Sequence, residues 1–231
     1  MFKYNGIIGR ALSVFLFSAS FNAMALDSRD SLVWKTMDAD KGEVVLMDKR
    51  SEKILLEIFH PGGFDQEIDT LHMQGEEYLI AKILPYDLGS GSWHVFALIN
   101  RSDMTVAHLE YADDEPIVVS VDGAIGDVVV SMRNMLGVEY GHPGGGWVLY
   151  YPTVVAKNCT GQVGVYGFRY FQEVADMYYA YLSEFIENVS NLIEKDVVED
   201  EGAARGLVSS ARSIVDMGSI DAEGGEFVFG C

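Results

Sequence analysis

Between Ser31 and about Phe168 the chain sets short apolar runs between turn residues, which predicts an antiparallel β structure. The predicted strands are Leu32 to Met37, Glu43 to Asp48, Lys53 to Phe59, Tyr78 to Leu84, Trp93 to Ile99, Met104 to Tyr111, Pro116 to Val121, Asp127 to Met132, Trp147 to Val155 and Gln162 to Phe168. Three of them are runs rather than alternations, at Trp93 to Ile99, Ile117 to Val119 and Val128 to Val130, so those strands are expected to be covered on both faces. Ile117 to Val121 and Asp127 to Met132, joined by Asp122-Gly123-Ala124-Ile125-Gly126, form the clearest hairpin.

The period then changes. From Tyr170 to about Lys195, apolar residues at Phe171, Val174, Ala175, Tyr178, Leu182, Phe185, Val189, Leu192 and Ile193 keep the three-and-four spacing of one helix face, with carboxylates opposite. A second helix is predicted from Asp200, its N-cap, to Gly218, with a face of small residues that can lie close against the first. The terminal Glu226-Phe227-Val228-Phe229 alternates as a closing edge strand would. The expected fold class is therefore α+β, a predominantly antiparallel β region followed by a C-terminal helical hairpin and a short terminal strand. With no linker in sight, residues 26–231 read as one domain: 26–168 β-rich, 169–218 helical hairpin, 219–231 tail.

Residues 1–25 fall outside this pattern. Lys3 and Arg10 precede an uncharged stretch from Ala11 to Phe21, and Ala23 and Ala25 occupy the two small positions of a cleavage site. An apolar run of about 11 residues is half the ~20 a spanning helix needs, so this is read as a signal peptide cut after Ala25, leaving no membrane anchor. The expected location is the periplasm, or the medium beyond it.

The formal net charge is −19, and the leader takes two cations with it. Such a field repels nucleic acid and anionic membranes and favours a basic protein partner. Two cysteines remain, Cys159 and Cys231, and in an oxidising compartment they are expected to form one disulfide. Closing a loop of about 70 residues would contribute about 4 kcal/mol on the chain-entropy estimate.

Candidate chemistry is sparse. His60-Pro61-Gly62-Gly63 and His142-Pro143-Gly144-Gly145 each follow a Glu three residues before the His. Each resembles the haem-ligating tetrapeptide of the cytochrome b5 family, but the aromatic residue expected four positions earlier is missing and no second His follows at that family's spacing. Both are read as Pro-Gly turns leaving a strand. Asp38-Ala39-Asp40-Lys41-Gly42-Glu43 has the opening of a calcium loop with its glycine one place early, and reads as a polar turn. His94 and His108 fall inside strands as core or sheet-face histidines. No catalytic residue, metal ligand or cofactor is assigned. Aromatic residues crowd more than one side of the first helix, which makes Tyr179 and Tyr181 candidates for partner contact, rimmed by acidic residues. The expectation is an exported, non-catalytic protein that binds a basic protein, such as a periplasmic immunity or inhibitor protein. The alternative is an exported hydrolase with dispersed catalytic residues including His142.

Overall fold

The computed structural model describes residues 31–86, 93–121, 125–134, 149–198 and 200–221. In chain order these form β1 (Leu32–Asp38), β2 (Glu43–Asp48), β3 (Lys53–Phe59), β4 (Phe64–Met73), β5 (Glu76–Pro85), β6 (His94–Asn100), β7 (Thr105–Ala112), β8 (Ile117–Val121), β9 (Gly126–Asn134), β10 (Tyr150–Lys157) and β11 (Val163–Gly167), then α1 (Gln172–Glu194) and α2 (Glu201–Asp221). Every strand pair is antiparallel. The α+β class holds: an antiparallel β region precedes two C-terminal helices.

β1, β2 and β3 make a three-stranded meander, and a larger sheet has the order β11-β10-β9-β4-β5-β6-β7, with β8 also paired to β9. β4 and β9 meet at one pair, Met73 opposite Gly126, so the larger sheet divides into two leaves, β4–β7 and β8–β11. Gly126 has φ +79°, and a Cβ there would lie 2.3 Å from the His72 carbonyl oxygen, so the junction requires glycine. Beside it, Asp127 accepts from the His72 N–H at 2.7 Å and from the Ser120 hydroxyl at 2.6 Å.

Three apolar seams stack the parts into four layers. Leu32, Trp34, Val44, Leu46 and Ile58 of the meander pack against Leu79, Ala81, Ile83, Val95, Ala97 and Ile99. On the other face of that leaf, Leu71, Met73, Tyr78, Ile80, Phe96 and Leu98 meet Val129 and Val155. Val128, Val130, Val154 and Ala156 then face the helices, against Phe168, Phe171, Val174, Tyr178, Leu182, Leu207, Ala211 and Ile214. The unbroken runs in β6 and β9 follow directly: alternate residues serve different seams. The run Ile117 to Val119 does not behave this way. β8 is paired only to β9 among the described residues, and as an edge strand it leaves Ile117 and Val118 more than a third exposed.

β4 was not legible in the sequence because Asp65, Gln66, Glu67, Asp69, Thr70 and His72 make it polar. It stands because it pairs with β5 along its whole length and because polar side chains are met, Gln66 accepting the Trp34 N–H at 2.8 Å. The helices lie close to their predicted places, except that α2 runs through Gly218 to Asp221 instead of ending there. Asp200 caps α2, accepting the Ala203 N–H at 2.9 Å, and Asp196, with φ +52°, takes the left-handed position that closes α1. The Tyr178 hydroxyl donates to the Tyr150 carbonyl at 2.7 Å and so fixes α1 on β10.

Candidate functional site: an apolar cleft on the outer sheet

The meander has a second face. Because side chains alternate, the strands that send Trp34, Val44, Leu46 and Ile58 inward send Lys35, Val45, Glu57 and Phe59 outward. There, Met37 is 53%, Ile54 42% and Phe59 64% exposed, and Tyr111 reaches the same place from β7 at 37%. With Glu43 and Glu57 these four side chains line one cleft of ≈ 500 Å³. Both charged groups in the lining are carboxylates, while Lys35 lies on the same face outside it. Burial raises the Tyr111 phenol above its usual pKa, so it stays a neutral hydrogen-bonding group there.

The β1–β2 turn lies beside Phe59. Asp38 accepts the N–H groups of Asp40 and Lys41 at 3.1 and 3.2 Å and pairs with the Lys41 ammonium at 3.0 Å. These bonds, the Lys41 side chain foremost, hold its carboxyl below the usual range. The sequence that opens like a calcium loop thus forms a side-chain-capped turn. It ends at Gly42, φ +66°, where a Cβ would approach the Phe59 ring to 2.9 Å. Glycine here lets Phe59 lie against the turn.

The buried charged groups lie elsewhere and are paired. Glu110, 3% exposed, accepts from Arg133 at 2.7 and 3.3 Å, from His108 Nε2 at 2.9 Å and from Thr153 at 3.5 Å. Burial alone would raise its pKa, but His108 and Arg133 together outweigh that, and it lies below the usual range. The Lys82 ammonium is buried, 2.9 Å from Glu67 and 3.7 Å from Glu115. Lys157 meets Glu76 at 2.6 Å and lies over the Tyr78 ring, whose phenol is pushed up to about 12, first by burial and then by Glu76. These groups tie strands of different leaves or of one sheet.

His60 leaves β3 in a Pro-Gly turn, with Gly62 at φ +91°, and its Nε2 lies 3.0 Å from the Trp93 carbonyl oxygen. It is buried, as is His94, whose pKa is lowered by burial. Both are core histidines. Among the described residues no group of three or more His, Cys, Asp and Glu is placed to hold a metal ion, and no helix is long and apolar enough to cross a membrane.

The residues singled out from sequence are scattered. Tyr179 and Tyr181 are half-buried on α1 and pack against the helix core: Tyr181 stacks on Tyr178 at 6.0 Å and 17°, and Tyr179 meets Phe168 edge-on at 6.0 Å. Cys159, in the turn between β10 and β11, is disulfide-bonded. Cys231 and His142, with the second His-Pro-Gly-Gly, lie outside the described residues. The cleft residues Met37, Ile54, Phe59 and Tyr111 were missed. The signal was present in β3, where Lys-Ile-Leu-Leu-Glu-Ile-Phe is apolar on both alternating faces. Such a strand asks for cover on both sides, and among the described residues the fold supplies it on one.

The chain was also compared with known proteins. No family model, no curated protein and no solved structure matches it.

Proposed function

We propose that this chain is an exported, non-catalytic binding protein whose outer sheet face recognises a basic protein, in the manner of a periplasmic immunity or inhibitor protein. One observation carries the reading: four large apolar side chains gathered in a single open cleft whose charged lining groups, among the described residues, are Glu43 and Glu57 alone. Scattered exposed apolar residues need no explanation, but a contiguous set rimmed by charge marks an interaction surface. Phe59 supplies the anchor. Fully covering a Phe side chain is worth about 1.5–3 kcal/mol, and Phe59 has most of that still to gain. The net charge of −19 adds long-range attraction for a cationic partner and repels acidic competitors.

The test is affinity capture from cell-envelope extract with the parent protein and with Phe59→Ser/Ile54→Ser, followed by calorimetric titration of the purified partner. The expected partner has a pI above about 9, binds more weakly as salt rises, and loses at least about tenfold in affinity to the double variant. Equal affinity for the variant, or salt-indifferent binding of an acidic protein, overturns the proposal.

A further inference from the structure

We infer that the partner enters this cleft as an extended strand added to the open edge of β3, with a basic residue opposite Glu57 and an apolar residue opposite Phe59. The inference rests on the docking surface proposed above and specifies how it is used.

The hydrogen-bond parity of the meander sets which backbone groups are free to serve a newcomer. The His60 N–H donates to the Gly42 carbonyl at 2.8 Å, which makes Gly42 and His60 a hydrogen-bonded pair. Antiparallel pairs alternate, so Val44 with Ile58 and Leu46 with Leu56 are bonded pairs as well. Glu57 and Phe59, opposite Val45 and Glu43, are therefore the residues whose N–H and C=O point away from β2. The other side of β2 agrees: the Lys49 N–H donates to the Ser31 carbonyl, which leaves Val45 and Met47 to serve β1.

Among the described residues β3 pairs with β2 alone. Natural edge strands are usually blunted by a bulge, by charge or by proline. Here the bulge lies in β3 itself, at Leu55, where Leu46 faces Leu56 and Met47 faces Ile54; the stretch from Glu57 to Phe59 beyond it has neither bulge nor proline. Both residues whose backbone is available also expose their side chains on the cleft face. An added strand would thus take its hydrogen bonds from the edge and its side-chain recognition from the cleft, in one register. Period-two alternation makes the fitting sequence basic and apolar at positions i and i+2, facing Glu57 and Phe59.

The probe is a blocked peptide, Lys-Thr-Val-Thr-Lys-Thr-Val-Thr-Lys, titrated against the full exported chain at low salt, with amide hydrogen exchange read at saturation. The expected result is slowed exchange at the Glu57 and Phe59 amides. Binding should fall at least about tenfold when alternate peptide amides that face β3 are N-methylated, and likewise in Glu57→Pro, which removes an edge N–H but no β2–β3 bond. Glu57→Gln should weaken binding by a smaller factor. Unchanged exchange at Glu57 and Phe59, or N-methylated peptides of both parities that bind as well as the parent, overturns the strand mode. If Phe59→Ser still weakens the peptide in that case, the cleft stands without the strand; if Phe59→Ser has no effect, both fail.

Discussion

Replacing Glu110 by Gln keeps the side-chain volume and removes one negative charge from the seam between the leaves. Four donor contacts converge on that carboxylate, two of them from the Arg133 guanidinium, and Glu110 itself is 3% exposed. Removing one partner of a buried ion pair costs about 3–5 kcal/mol because the other charge is stranded. Arg133 is not stranded to that degree, since its side chain is 53% exposed and can rehydrate. A loss of about 2 kcal/mol at pH 7 is the expected magnitude. The sign with pH follows from the lowered carboxyl pKa. The stabilisation is complete above the unfolded value of about 4.3 and is lost as pH falls from there through the folded value. Urea denaturation of parent and variant at pH 7 and pH 3 measures both quantities. The difference should be about 2 kcal/mol at pH 7 and should shrink at pH 3. A variant as stable as the parent at pH 7, or a gap that does not close in acid, refutes the assignment of Glu110 as the charged clamp of the seam.

Gly126→Ala should destabilise by more than about 2 kcal/mol in the same assay, because it combines a positive φ with a Cβ 2.3 Å from a backbone oxygen. Tyr178→Phe removes the 2.7 Å bond to the Tyr150 carbonyl and should cost about 1 kcal/mol, with the near-ultraviolet dichroism of the aromatic cluster otherwise retained. Cys231→Ser should lower the melting temperature by several degrees, as should reducing agent on the parent; an unchanged curve for both would remove Cys231 as the partner of Cys159.

Much of the fold was legible because periodicity is a local property. The helices were found from their apolar spacing, and Asp200 from its position ahead of it. β4 was hidden because its stability comes from partners distant in sequence, Lys82 for Glu67 and Trp34 for Gln66, which no local pattern reveals. Ile117 to Val119 misled for the opposite reason: an apolar run shows that a strand can be covered on both sides, whereas among the described residues Val119 packs on the helix core and Ile117 and Val118 stay exposed. The cleft was harder still. Its members come from β1, β3 and β7, and only the meeting of those strands turns four unremarkable side chains into one surface. Tyr179 and Tyr181 looked more exposed in a helical projection than they are, because the aromatic rings beside them give cover that a projection omits.

The narrow join at Met73 and Gly126 bears on how the molecule assembles. Each leaf is built from one continuous stretch of chain, and all pairing within β1–β3 and within β4–β7 is complete once residue 112 has been made. Contacts between neighbours in sequence close faster than distant ones, so the first two layers can form while later residues are still being synthesised. The remaining strands and both helices would then arrive as a second unit, joined to the first by one backbone pair at Gly126 and otherwise by side chains, the apolar seam and the Glu110–Arg133 and Lys157–Glu76 pairs.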